Sequence, residues 1–233
     1  MKRILFVGAC EKSDLLVYIS KVLTTAGHKV LLIDATMLQR YFYSIPAISL
    51  ETKLTEYDGF DVIRDCIDYR DVETCFANNK EDLEAYDFVL IDTDCEAAVS
   101  NWGDLDMQFI VSNFERYTVE KNERLLNAFF ADREKSLTEF ELIIYPFVKC
   151  NLDEKYPIQN LDHFPISWSE EPFEFYLEES DYIVRVNNQH DSRVSIKKSS
   201  RYTKNEIMAI CQLISGQSQK EIKTAFRAAE RNK

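Results

Sequence analysis

Glycine is scarce in this sequence, with five in 233 residues, and proline is as rare. Only one glycine, Gly8, lies between Val7 and Lys12. A backbone that wraps a phosphate needs several residues free to take left-handed conformations, which glycine adopts without steric cost. Metal-type cysteine spacing is also missing. Cys10, Cys66, Cys75, Cys95, Cys150 and Cys211 form no C-x-x-C pair and no Cys/His pattern of a zinc site. They read as reduced thiols of a cytosolic protein, several of them acting as small hydrophobes in apolar runs. No apolar run approaches the roughly 20 residues of a membrane-spanning helix, and the run at 4–7 is too short for a signal peptide. The expectation is a cytoplasmic chain with at most weak peripheral membrane contact at the inner face. Positive charge is short as well, the net charge being −12. Binding a phosphate backbone calls for a basic patch, and none precedes the C-terminus, so direct nucleic-acid binding is not expected. Linkers, repeats and low-complexity tracts are absent, which predicts one domain over 1–233.

What is present is an alternation of apolar runs and helical periods. Residues 4–7 and 30–33 are continuous apolar runs, the pattern of strands covered on both faces. Between them Leu16, Ile19, Leu23 and Ala26 recur at helical spacing, and Gly27 follows as a helix stop. Further strands are predicted at 60–63, 86–92, 107–112, 142–147 and 182–186. Helices are predicted at 72–79, 119–130, 203–214 and 219–231, and the stretch 151–172 reads as a surface loop or short helical excursion. The fold class expected is α/β, three layers, with a mainly parallel central sheet and helices on both faces.

The segment Gly8-Ala9-Cys10-Glu11-Lys12-Ser13 joins the first strand to the first helix. In such folds phosphates bind there, because free N–H groups at the helix N-terminus point at the anion. Lys12-Ser13 keeps the order of a Walker A ending. The next strand closes on Asp34, and a later one runs Tyr86-Asp87-Phe88-Val89-Leu90-Ile91-Asp92-Thr93. In order and spacing this resembles the MinD/ParA family of P-loop ATPases over about the first two-thirds of the chain, fading after Lys149. The resemblance implies vestigial nucleotide-binding positions at Gly8, Lys12, Ser13, Asp34 (the switch acid) and Asp92 (the Walker B acid). It also implies protein partners in a larger bacterial assembly of the division, partition, pilus or secretion type, and a homodimer.

The departures from the family decide the functional expectation. The loop is shorter than the family's, lacks its signature lysine, and has Glu11 in place of the glycine before the lysine. One like-charge pair at ~4 Å in an effective dielectric near 20 costs about 4 kcal/mol, against about 8 kcal/mol for a micromolar ligand. The expected protein is therefore a catalytically degenerate scaffold or positioning factor, a pseudo-ATPase with no catalytic residue, metal or cofactor. ATP and Mg²⁺ enter only if the loop works after all. On this reading Lys12 has lost its ligand, and Lys12→Ala is expected to be silent for folding. The alternatives are an ATPase with an atypical P-loop, or a dinucleotide enzyme using Asp34, although the loop lacks two glycines of that fingerprint.

The remaining features have simpler readings. Ser13 is expected as the N-cap of the first helix. The run Asp92-Thr93-Asp94-Cys95-Glu96 has oxygen ligands for a divalent cation, though a solvated acidic loop is the simpler account. His28, His163 and His190 have no recognisable nucleophile partner. Lys197, Lys198 and Arg201, then Lys220, Lys223, Arg227, Arg231 and Lys233, make the C-terminal end basic. The apolar face of the last helix, Ile222, Ala225, Phe226 and Ala229, is expected to pack on the domain or on a partner.

Overall fold

The computed structural model describes residues 1–49, 51–131, 133, 136–169 and 171–231. Lys233, counted above in the basic terminus, lies outside the described residues. Among the described residues nine strands form the sheet: β1 (Lys2–Val7), β2 (Val30–Ala35), β3 (Leu54–Tyr57), β4 (Phe60–Arg64), β5 (Phe88–Thr93), β6 (Met107–Ser112), β7 (Thr138–Phe147), β8 (Ile166–Trp168) and β9 (Phe173–Tyr176). Their order is β3-β4-β2-β5-β1-β6-β7-β8, and β9 pairs with the distal half of the long β7. All pairings are parallel except β3 with β4. That one is a hairpin turned at Asp58 and Gly59, with φ of 49° and 96°, as a two-residue turn between right-twisted strands requires.

Strand periodicity sends alternate side chains to opposite layers. Ile4 and Phe6 of β1, with Val30, Leu32 and Leu90, enter one core; Leu5 and Val7, with Leu31, Ile33 and Ile91, enter the other. The first core is covered by α1 (Ser13–Thr25), α7 (Arg201–Ser215) and α8 (Gln219–Ala229). The second is covered by α3 (Tyr69–Asn79) and α4 (Arg116–Phe130). The expected three-layer, mainly parallel α/β architecture is present. Helix α1 is buried from Ser13 through Leu23, since it lies between the sheet and α7 and α8.

The last helix starts with a capping box, Ser218 and Glu221 exchanging hydrogen bonds. Its Ile222, Ala225, Phe226 and Ala229 are all buried, so the apolar face is spent inside the domain. Among the described residues no helix is long and apolar enough to cross a membrane.

Three local expectations need correction. Residues 182–186 belong to a helix, α6 (Glu179–Asn188), not to a strand. Tyr182, Ile183 and Val186 look strand-like in sequence but are exposed, whereas Val184 and Asn188, four apart, are buried. Glu179 and Asp181 in its first turn and Arg185 in its last suit the helix dipole. The stretch 151–172 holds a short helix, α5 (Lys155–Gln159), and also strand β8. Ser13 is the first helical residue; Lys12 occupies the cap position of α1 and makes no side-chain cap bond.

Candidate functional site

The parallel register sets the site. Asp34 at the end of β2 lies opposite Asp92 at the end of β5, and β1 delivers the loop from Gly8 on the other side of β5. A crevice at the carboxyl ends of such strands is where α/β folds take ligands. Lys12, Asp34 and Asp92 converge there, and each is at most 1% exposed.

Their interactions are internal. Lys12 Nζ stands 2.7 Å from Asp92 Oδ1 and donates to the Gly8 carbonyl oxygen at 2.7 Å. Burial works against the Lys12 ammonium, but Asp92 beside it prevails and holds the lysine above its ordinary pKa. The other Asp92 oxygen accepts the Tyr41 hydroxyl at 2.7 Å. Asp34 Oδ1 accepts from the Thr36 N–H (3.0 Å) and hydroxyl (2.6 Å), and Oδ2 accepts the Tyr41 N–H at 3.1 Å. Burial pushes the Asp34 carboxyl up to about 6. Tyr41 sits in α2 (Arg40–Ser44), a short helix that closes over both aspartates.

Glu11 occupies the N-terminus of α1. Its Oε1 accepts from the Ser13 N–H at 3.0 Å and from the Ser13 hydroxyl at 2.5 Å. Its Oε2 is paired with Arg40 Nη1, and Arg185 Nη2 lies 3.9 Å from Oε1. Burial favours the neutral acid, yet the Ser13 donors and Arg40 outweigh it and keep the carboxyl below its ordinary pKa. The capping role expected of Ser13 is thus performed by the preceding carboxylate, an anion carried by the chain itself at the positive end of a helix.

The first part of the loop backbone is committed elsewhere. None of residues 8–12 has a positive φ, so the alternating conformation that makes a backbone anion nest is missing. The Ala9 N–H donates to Asn122 Oδ1 at 2.9 Å, and the Asn122 amide donates to the Val111 carbonyl at 3.1 Å. A Cβ on Gly8 would stand 2.0 Å from the Val111 oxygen. Gly8 therefore serves the close approach of β1 to β6, not the ligand approach expected from its place in the motif. The residues present do not fit a bound triphosphate with Mg²⁺: the Ser13 N–H and hydroxyl, the lysine and both strand-end acids all have partners from the chain.

The run at 92–96 is neither a metal cluster nor a solvated loop. Asp92 and Asp94 are buried; Asp94 accepts the Met37 N–H at 2.7 Å and faces Arg40 at 3.7 Å, while Glu96 pairs with Lys121. Among the described residues no group of three or more His, Cys, Asp or Glu is placed to hold a metal ion. Beside Glu11 opens a cavity of about 350 Å³ that includes Asp14, Tyr18, Tyr145 and Arg185. The Tyr145 hydroxyl donates to Asp14 Oδ2 at 2.5 Å. Among the described residues the cavity lining holds five carboxylates and two arginines, Arg40 and Arg185, a balance opposite to that of a polyphosphate site.

Sequence reasoning missed Arg40, Tyr41, Asn122 and Arg185. Asn122 reaches Ala9 across 113 positions, and nothing local marks such a residue. The buried polar position in the middle of amphipathic α4 was the one available signal.

No protein-family model matches the sequence, and no curated protein matches it. Among solved structures the chain is similar to the MinC:MinD cell division protein complex of Aquifex aeolicus, with 16% identity, TM-score 0.62, and coverage of 94% of this chain and 97% of that one. A ParA family ATPase from Chlorobium tepidum aligns with 15% identity and TM-score 0.52 over 98% of this chain and 97% of its own. A putative plasmid partition protein from Borrelia burgdorferi, bound to AMPPNP, aligns with 17% identity and TM-score 0.52 over 98% and 99%. The fold is MinD/ParA-like.

Proposed function

We propose that this MinD/ParA-like fold has given up nucleotide-driven switching and works as a protein-binding scaffold or positioning factor in a bacterial assembly of the division, partition, pilus or secretion type. One observation carries the reading: Glu11 sits on the N-terminus of α1 while Lys12 is tied to Asp92 at 2.7 Å. A triphosphate would have to displace the first and break the second. Breaking a buried ion pair from one side typically costs about 3–5 kcal/mol, a large part of the binding energy of a micromolar ligand.

Protein contact is supported by the rim of the site. Met37, Leu38 and Tyr43 are exposed near the strand ends, and Tyr117, Leu177 and Tyr182 are exposed around the cavity. A set of apolar side chains at one end of a molecule is the mark of a docking surface, and a homodimer through this end is part of the proposal. The solved neighbours include a MinC:MinD complex and a putative plasmid partition protein, which agrees with a protein partner. The inward apolar face of α8 and the net charge of −12 argue against a membrane anchor and against direct nucleic-acid binding.

Isothermal titration with ATP and Mg²⁺, together with a phosphate-release assay, tests the reading. No saturable heat and no turnover are expected. A micromolar dissociation constant with turnover would overturn it in favour of an ATPase with an atypical loop.

A further inference from the structure

Residues 197–231 carry eight Lys and Arg against three Glu in a chain whose net charge is −12. The fold draws four of these cations around one groove of about 390 Å³: Arg201 and Lys204 from the start of α7, Lys223 and Arg227 from α8. Among the described residues Glu230 is the one acid on the lining, and Lys204 already holds it, Nζ 2.7 Å from Oε1. Arg201, Lys223 and Arg227 have no anionic partner among the described residues. Lys223 and Arg227 stand four apart on one helix and Arg201 and Lys204 three apart on another, both like-charge spacings that weaken a helix. Folding alone gives no reason to gather them. Between the cations lie Phe226, which is 3% exposed, and the half-buried Met208.

We infer that this groove docks an acidic segment of a protein partner, one that carries apolar side chains among its carboxylates. Long polyanions fit it less well. The rest of the molecule is strongly acidic, and an extended duplex or an anionic bilayer would meet that field as well as the groove. A short segment feels little beyond a Debye length of about 8 Å. The half-buried Met208 rewards apolar side chains, which a phosphate backbone lacks. Insertion into a bilayer at the groove cannot use the apolar face of α8, which is buried.

The test is fluorescence anisotropy of the full-length protein with a labelled octapeptide of six glutamates around one leucine and one phenylalanine. Short duplex DNA and phosphatidylglycerol vesicles form parallel arms. Salt-sensitive peptide binding is expected, weakened about tenfold or more by Arg201→Glu with Arg227→Glu, and less than about twofold by the equal-charge control Arg70→Glu with Arg124→Glu. Replacing the leucine and phenylalanine with serine should weaken binding about threefold or more. All four positions are exposed, and circular dichroism checks that the variants fold. Equal binding by the double variant would overturn the inference, as would tighter binding of duplex or vesicles through the same arginines. The groove shares no lining residue with the cavity beside Glu11, so its failure would leave the reading of the loop standing.

Discussion

Lys12 Nζ lies 2.7 Å from Asp92 Oδ1, both side chains being at most 1% exposed. The sequence suggests a lysine that has lost its ligand and is therefore dispensable; the ion pair reverses that expectation. Lys12→Ala would leave a buried carboxylate with only the Tyr41 hydroxyl as a partner. A loss of about 3–5 kcal/mol is expected. Lys12→Met combined with Asp92→Asn removes both charges and keeps the acceptor for Tyr41, so most of the stability should return. Urea denaturation followed by circular dichroism reads both values. A Lys12→Ala midpoint equal to that of the wild type would contradict the pairing.

Gly8 should be intolerant of any side chain for a steric reason. The Cβ of an alanine would stand 2.0 Å from the Val111 carbonyl oxygen and 3.0 Å from its carbon. Both are backbone atoms of a central strand and cannot swing aside. Overpacking in a core costs about 1–3 kcal/mol when side chains can adjust, and here the upper end or failure to fold is expected. Thermal denaturation checks it; an unchanged melting temperature for Gly8→Ala would show that β1 and β6 are not held this closely.

The sequence reveals the frame better than the site. Strands buried on both faces announce themselves as apolar runs, and β1, β2, β5 and β6 fall within a residue or two of where periodicity places them. The edge strand β3 is half-buried and short, and its one clear sign is Asp58-Gly59 between Tyr57 and Phe60, the turn of its hairpin. Strand β9 is four residues long and follows an acidic loop. Lys12, Asp34 and Asp92 are legible because strand ends in a parallel sheet share one crevice. Arg40 and Arg185 are not, because what brings them to Glu11 is the placement of α2 and α6 over the sheet, which no local spacing encodes.

Asp34 gives the site a pH signature. Burial raises its carboxyl from 3.8 to about 6 in the fold, so the folded chain binds this proton more tightly than the unfolded chain does. The contribution is fully present below the unfolded pKa and is lost as the pH rises through about 6. Glu11, held below its ordinary value, works in the opposite sense, losing its contribution as the pH falls through its lowered folded value. The comparison with Asp34→Asn isolates the first effect. Wild type should gain stability relative to that variant between pH 6 and pH 4. Chemical denaturation at a series of pH values measures the difference, and a constant gap across that interval would remove Asp34 as the titrating group.

Glu11 is the residue whose removal should change what the loop can bind. Its carboxylate uses the Ser13 N–H, the Ser13 hydroxyl and Arg40, with Arg185 close by. Glu11→Ala would leave the N-terminal end of α1 without its anion and both arginines without this partner, while Lys12 keeps Asp92. Loss of the capping contact should cost about 1 kcal/mol, small enough for the domain to remain folded. A compact anion then has donors and positive charge to meet, although the loop still lacks a backbone nest. Weak binding is the consequence: inorganic pyrophosphate at low ionic strength, with a dissociation constant near the millimolar range, or about −4 kcal/mol. The wild type should show none, and Glu11→Gln, which fills the same space without the charge, should fall between them. Isothermal titration of the three proteins decides the matter. If Glu11→Ala binds pyrophosphate no better than the wild type, the carboxylate is not what keeps anions from the loop, and the obstruction lies in the missing nest alone.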